Sequence, residues 1–200
     1  MKRILVVSGS RADYGLLEWP VKKLREDGAF DGPLLEIWGL TVPIAFNEVV
    51  MALERYKPDL MLILGDRFEI LAAATAAHLQ RIPIAHIAGG DVTEGSYDDA
   101  MRDAISRMAS IHFVTSTSAM ARLSHMGFRN VHLVGNPGID YIRNADWKSG
   151  RPIAEPYVVV NYQAETIDGR WDVGAISEAI GTRKAVYIFP NPDRGSEELR

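Results

Sequence analysis

The sequence contains no cysteine, so disulfides, thiolate catalysis and cysteine-based zinc sites are excluded, a composition that fits a cytoplasmic enzyme. No apolar stretch approaches the roughly 20 residues a membrane-spanning helix requires, and no membrane partner is expected. The opening MKRILVVS places basic residues before an apolar run, as a secretory signal would. Its apolar core, Ile4 to Val7, is far too short for that role, and a first β-strand accounts for it better. A basic surplus is also missing: 22 Lys and Arg stand against 26 Asp and Glu. With the basic residues scattered, nucleic-acid binding is disfavoured, and any anionic ligand must be met by local arginines and helix ends. The histidines show neither HxH nor HxxxH spacing, so no metal site and no cofactor are expected, although a magnesium ion bridging a diphosphate is compatible with the sequence. There is no internal repeat and no low-complexity tract.

What is present is enough apolar side chain, 47% of 200 residues, to bury an ordinary core. Arg3 to Val7 reads as a strand, followed by the glycine-containing turn Ser8 to Gly15 and a helix over LLEWPVKKLRED, with Pro20 placed early in it. Leu34 to Leu40 reads as a second strand and Pro43 to Tyr56 as a helix with Ala45, Val49, Val50, Leu53 and Tyr56 on one side. Leu60 to Leu64, wholly apolar, has the character of a central parallel strand buried on both faces. An alanine-rich helix from Phe68 to Gln80 and a strand from Ile82 to Ala88 follow; His86 within it reads as a hydrogen-bonded core histidine. A helix opened by Asp98-Asp99, the strand Ile111 to Thr115, the helix Ser118 to Met126, the strand Val131 to Val134 and a short helix at IDYI continue the alternation. This is the pattern of a doubly wound parallel α/β domain over residues 1–144. A polar, proline- and glycine-bearing linker is expected over 145–156, and a second unit over 157–200: strand Tyr157 to Asn161, helix Asp172 to Ile180, strand Ala185 to Phe189. Two strands and one helix cannot close a core, so this unit is expected to belong to a longer domain or to dock on something else.

The candidate site comes from two strands that end abruptly in glycine and carboxylate. LMLIL stops at Gly65-Asp66-Arg67, and IPIAHIA stops at Gly89-Gly90-Asp91. In a parallel α/β sheet the carboxyl ends share one edge, where such sheets bind ligands, so Asp66, Arg67 and Asp91 are expected together there. The Ser8–Gly15 turn points free N–H groups at the same edge and suits a phosphate with Arg11 as clamp, although the P-loop and dinucleotide glycine spacings are absent. Asp98 and Asp99, in a first helical turn, read by themselves as caps, and Arg102 as the ion-pair partner of Asp98.

Taken together, SRADYG, KPDLMLILGDRFEILAAA, IPIAHIAGGD, the DDAMRDAISRMA helix and VGNPGIDYI resemble the hydrolysing UDP-N-acetylglucosamine 2-epimerases of sialic acid and related nonulosonic acid biosynthesis; NYQAET and FPNPDRGS resemble the opening of that family's second domain. The resemblance implies a two-domain, Rossmann-like architecture of the glycosyltransferase-B type. It implies conversion of UDP-N-acetylglucosamine to N-acetylmannosamine and UDP by elimination followed by hydration, without a cofactor, in a homodimer or homotetramer. By position it makes Asp66 and Asp98 catalytic carboxylates and puts Arg11 and Arg102 near the substrate's phosphates or those carboxylates. Arg67 and Gln163 join them as substrate-binding candidates.

The sequence departs from the family's pattern in several places. Ala88 stands in the HIxGG motif where many members have an acidic residue, and Asp91 is the nearest substitute. Gln163-Ala164 replaces a frequent His-Pro, and glutamine can hydrogen-bond but cannot shuttle a proton near neutral pH. The stretch between Gly39 and Pro43 is short, and the family's later glycine- and serine-rich nucleotide loop is not among these 200 residues. A non-catalytic nucleotide-sugar-binding module and a glycosyltransferase of the same architecture therefore stand as alternatives.

Overall fold

The computed structural model describes residues 2–28, 30–146, 153–162 and 172–189. The chain divides into two compact units, the first made of Met1–Thr93 and Asp98–Ala145. In that unit β1 (Lys2–Ser8), β2 (Phe30–Asp31), β3 (Leu34–Glu36), β4 (Leu60–Leu64), β5 (Ile84–Ile87), β6 (Ile111–Val114) and β7 (Val131–Leu133) form one sheet. Every pairing in it is parallel. The path runs β2-β1-β4-β5-β6-β7, with β3 also on β1.

Because side chains alternate across a strand, each central strand feeds both faces. Leu5, Val7, Met61, Ile63 and Ile84 pack on one face against α2 (Val42–Tyr56), α3 (Phe68–Leu79) and Ile105 of α4 (Asp98–Met108). Ile4, Val6, Leu62, Leu64, Ala85 and Ile87 pack on the other against Leu17 and Val21 of α1 (Arg11–Asp27). Each fully buried large aliphatic contributes about 1.5–3 kcal/mol relative to exposure, which explains the uninterrupted apolar run in β4. The small alanine surface of α3, with Ala72, Ala73, Ala74, Ala76 and Ala77 buried, lets it sit close to α2 and the sheet. Beyond β6, α5 (Thr117–His125) covers Val114 with Ala119 and Leu123, and α6 (Pro137–Asn144) lies against α1.

This strand order fixes the position of the site. The chain leaves β1 for β3 on one side and returns to β4 on the other. The turns after β1 and β4 therefore part company, opening the crevice that doubly wound sheets use for ligands.

Five local expectations are corrected. The helix after β1 starts at Arg11, not Leu16, because Ser10 caps it: its hydroxyl accepts from the Asp13 N–H at 3.2 Å. Gly15 is helical rather than a turn, and Pro20 falls inside the helix instead of early in it. The second strand ends at Glu36, because the chain turns at Gly39 with φ of 65°. The strand carrying His86 is trimmed at both ends, by Pro83, which cannot donate to the ladder, and by Ala88, whose φ is 65°.

The second unit contains β8 (Tyr157–Asn161), α7 (Val173–Ile180) and β9 (Lys184–Ile188), with β8 and β9 paired in parallel. Val159, Tyr187, Ile188 and Phe189 remain exposed. Asp172 caps α7, its carboxylate accepting from the Ala175 N–H at 2.8 Å. Among the described residues no helix is long and apolar enough to cross a membrane.

Gly90 offers a test of the packing after β5. Its φ is 83°, and a Cβ there would approach the Ala119 carbonyl to 2.7 Å and Leu123 to 2.9 Å. Gly90→Ala is expected to lose about 3 kcal/mol, from left-handed strain plus the clash, in urea unfolding monitored by circular dichroism.

Candidate active site

Arg102 is the centre of the carboxyl edge. It lies on the buried face of α4, and a buried guanidinium is stable only if its N–H groups all find acceptors. Nη2 bonds the Asp66 carboxylate, delivered by the turn after β4, and the Thr93 hydroxyl at 3.1 Å. Nη1 bonds the Asp99 carboxylate and, at 2.6 Å, the Asp91 carbonyl. Asp99 also accepts from the Thr93 N–H at 3.1 Å. One cation thus binds the β4–α3 turn, the β5–α4 loop and the first turn of α4 together.

The expected site residues fall as follows. Asp66 and Asp91 come together through Arg102, but the Asp91 side chain turns towards β6, where both its oxygens accept from the Thr115 hydroxyl at 2.9 Å. Asp98 opens α4, and the ion pair seen for Arg102 is with its neighbour Asp99, three residues back instead of four. Arg67 directs Nε at Glu69, itself almost wholly buried, at 3.2 Å. Arg11 is the exposed first residue of α1. Gln163 lies outside the described residues. Among the described residues no group of three His, Cys, Asp or Glu side chains is placed to hold a metal ion.

His86 is the core histidine expected, and it supports the site from behind. Its Nε2 lies 2.8 Å from the Gly65 carbonyl and its Nδ1 3.0 Å from the Ser106 hydroxyl. A carbonyl can only accept, so Nε2 carries the proton and Ser106 donates to Nδ1. Gly65 immediately precedes Asp66, and Ser106 lies one helical turn beyond Arg102, so this imidazole holds both members of the central ion pair. Burial pushes its pKa down to about 4, which keeps the ring neutral. Gly89 must be glycine for the same reason, since a Cβ there would meet Ser106 Oγ at 2.8 Å and His86 Nδ1 at 3.0 Å.

Several residues of this neighbourhood were not singled out in the sequence: Asp13, Glu69, Thr93, Ser106 and Thr115. Only Asp13 had a readable signal, the Ser-x-x-Asp capping spacing from Ser10. It is buried, and its Oδ2 has no hydrogen-bond partner among the described residues. Burial pushes its pKa up to about 6, with Asp66 adding to the rise, while Ser10, Arg67 and the Gly9 backbone oppose it.

The neutral His86 makes stability acid-sensitive. Its pKa is lowered on folding from 6.5 to about 4, so the unfolded chain binds the extra proton and stability is lost as pH falls through that window. The loss due to His86 is expected to be about 3 kcal/mol at 1.36 kcal/mol per unit. It is read as the extra fall in unfolding free energy of the wild type over His86→Gln between pH 6.5 and 4.

Known proteins share both sequence and fold with this chain. A profile of the family described as UDP-N-acetylglucosamine 2-epimerase matches residues 41–200. The UDP-N,N'-diacetylbacillosamine 2-epimerase (hydrolyzing) of Legionella pneumophila is 32% identical over 71% of this chain and 48% of its own length. The UDP-N-acetylglucosamine 2-epimerase of Neisseria meningitidis is 26% identical over 100% of this chain and 65% of its own. The S. aureus MnaA-UDP co-structure superposes with a TM-score of 0.81 at 17% identity, over 100% of this chain and 65% of that one. The chain therefore spans about half to two thirds of the length of these relatives. Its fold is that of the glycosyltransferase-B type: a doubly wound parallel first domain followed by the opening strands of a second. With the profile covering most of the chain and the fold agreeing, the chain belongs to the UDP-N-acetylglucosamine 2-epimerase family.

Proposed function

We propose that this chain belongs to a hydrolysing sugar-nucleotide 2-epimerase that converts UDP-N-acetylglucosamine to N-acetylmannosamine and UDP. The observation that carries the reading is the gathering of Asp66, Asp91 and Asp99 around Arg102 at the crevice edge of a parallel sheet. In the reaction the sugar C1–O bond breaks and its electrons leave with the diphosphate, while the C2 proton is removed to form a glycal. Water then adds across the double bond, hydroxyl to C1 and proton to C2 from the opposite face. The C2 proton has no adjacent carbonyl to acidify it, so departure of the diphosphate runs ahead and positive charge builds on the ring. Carboxylates suit that charge and the two proton movements, and arginines suit the leaving group.

Asp66 is assigned the C2 proton, with Asp91 and Asp98 as the further carboxylates of the site. Arg102, buried among its acceptors, holds Asp66 in place, and Arg11 and Arg67 are assigned to the diphosphate. Gln163 is assigned a hydrogen-bonding role towards the substrate. The enzyme is expected to act in the cytoplasm as a homo-oligomer, on pathways to sialic or related acids.

Two sugars merit comparison, because the Legionella relative is named for a substrate with a second acetamido group. Incubation with UDP-N-acetylglucosamine or UDP-N,N'-diacetylbacillosamine in D2O is expected to release UDP and give a 2-epimerised sugar deuterated at C2 by NMR. Asp66→Asn should lower kcat by about 100-fold or more, the usual range for a positioned acid–base group, measured at a temperature below the variant's own melting transition. Full UDP release by Asp66→Asn would remove Asp66 from the mechanism. Tight binding without product would favour a binding module, and sugar transfer to an added acceptor a glycosyltransferase.

A further inference from the structure

Glu69 is a buried carboxylate at the crevice that the proposed reaction leaves unused. It lies in the first turn of α3, two residues after Arg67, and 1% of its side chain is exposed against 18% for Arg67. An acid in a first helical turn ordinarily complements the helix dipole from the surface. That role explains its place in the helix but not its burial, because a desolvated carboxylate is stable only beside a compensating cation. Its neighbours in α3, Ile70, Ala72 and Ala73, are buried aliphatics. The compensating cation is Arg67, whose Nε donates to Glu69 Oε2 at 3.2 Å.

This pair stands where the two turns part to open the crevice. Arg67 belongs to the turn after β4. Ile70, one residue beyond Glu69, packs on the turn after β1, so closely that a Cβ on Gly9 would come within 2.8 Å of it. Across that junction the Arg67 charge reaches Asp13 in the first turn of α1. A guanidinium is a rigid plane. Gripped through Nε, it turns its Nη edge away from the gripping carboxylate, and that edge carries the paired donors that match two phosphate oxygens. We propose that Glu69 is a positioning residue for the diphosphate, holding Arg67 by Nε so that the Nη edge is presented at the crevice between the β1 and β4 turns. This rests on the nucleotide-sugar reading given above and adds to it the residue that orients a phosphate-binding arginine. Glu69 itself touches no ligand. Its contribution is to fix a rotamer-rich side chain before binding, which removes part of the ordering cost of the complex.

The sign of the effect separates positioning from charge. If Glu69 merely damped the Arg67 charge, its removal would strengthen the binding of an anion; as a positioning residue, its removal weakens it. The probe is UDP, titrated calorimetrically into the full chain below the melting transition of each variant. Glu69→Leu, of similar volume, is expected to raise the dissociation constant about tenfold, the contribution of one charge-assisted hydrogen bond. Glu69→Gln, which restores an oxygen acceptor for the Nε–H, should recover part of that loss. Arg67→Lys keeps the charge but cannot hold the carboxylate and present a fork together, so it should show the loss by itself. Either Glu69 substitution in the Arg67→Lys background should then add nothing, the non-additivity of two residues acting through one contact. The comparison of Glu69→Gln with and without Arg67→Lys gives the same answer if Glu69→Leu does not fold. Binding by the Glu69 variants as tight as the wild type's or tighter, or a further loss in the Arg67→Lys background, overturns the role of Glu69 and leaves the nucleotide-sugar site standing. Absence of UDP binding by the wild type overturns the site itself and the role of Glu69 with it.

Discussion

A guanidinium placed under the carboxyl edge of a parallel sheet is the constraint on which the rest of the site depends. In water the Arg102 charge would be solvated at no structural cost; inside, it requires acceptors in a fixed fork geometry. Those acceptors come from three elements: Asp66 after β4, distant in sequence, the Asp91 carbonyl and Thr93 hydroxyl after β5, and Asp99 in α4 itself. Losing any one would leave charge or dipole buried without compensation, so the two loops and the helix are bound to a common geometry. The carboxylate at the crevice is thereby oriented before any ligand arrives, as preorganised electrostatic catalysis requires.

His86 provides the second attachment, from within the sheet. It reaches the backbone just before Asp66 and the hydroxyl one turn beyond Arg102, so that α4 is held at two successive turns of one face. The space for this is made by Gly89, and the chain is turned into position by Ala88, whose φ of 65° is uncommon for a residue with a Cβ. A strained residue, a glycine forced by a histidine and a glycine forced by α5 follow one another directly after β5. Strain of this kind persists only where the surroundings over-determine it, and it gathers at functional sites.

The electrostatic balance at this edge is narrow. Asp13, Asp66, Asp91 and Asp99 are concentrated in one region of a chain whose net charge is already -4, and Arg67 and Arg102 are both engaged by carboxylates. Under the proposed function a diphosphate arriving here meets the start of α1, the exposed Arg11, and Arg67 and Arg102 with their existing partners. Asp13 and His86 illustrate how burial alone separates two titratable groups, holding one carboxyl protonated into mildly acid conditions and one imidazole neutral well below its usual range.

Much of this architecture was legible in the amino-acid order, because it follows from local rules. Apolar runs with strand character, helical spacing between them and strands ending in glycine and aspartate suffice to name a doubly wound sheet and to bring Asp66 and Asp91 to one edge. The start of α1 was obscured because Gly15 reads as a turn, and the cap at Ser10 outweighs it. Other features were beyond sequence for a physical reason. Periodicity assigns a face of a helix but not the neighbour that meets it, so the expected pairing of Arg102 with Asp98 gave way to Asp99 once α4 was docked against the β4 turn. The same holds for the side chain of Asp91, claimed by Thr115 across the sheet edge, and for the enclosed oxygen of Asp13. The sequence by itself determined which elements form and at which edge the acids emerge. Only tertiary packing decided which acid faces which cation and which is buried, since those outcomes depend on desolvation and on contacts between segments distant in the chain.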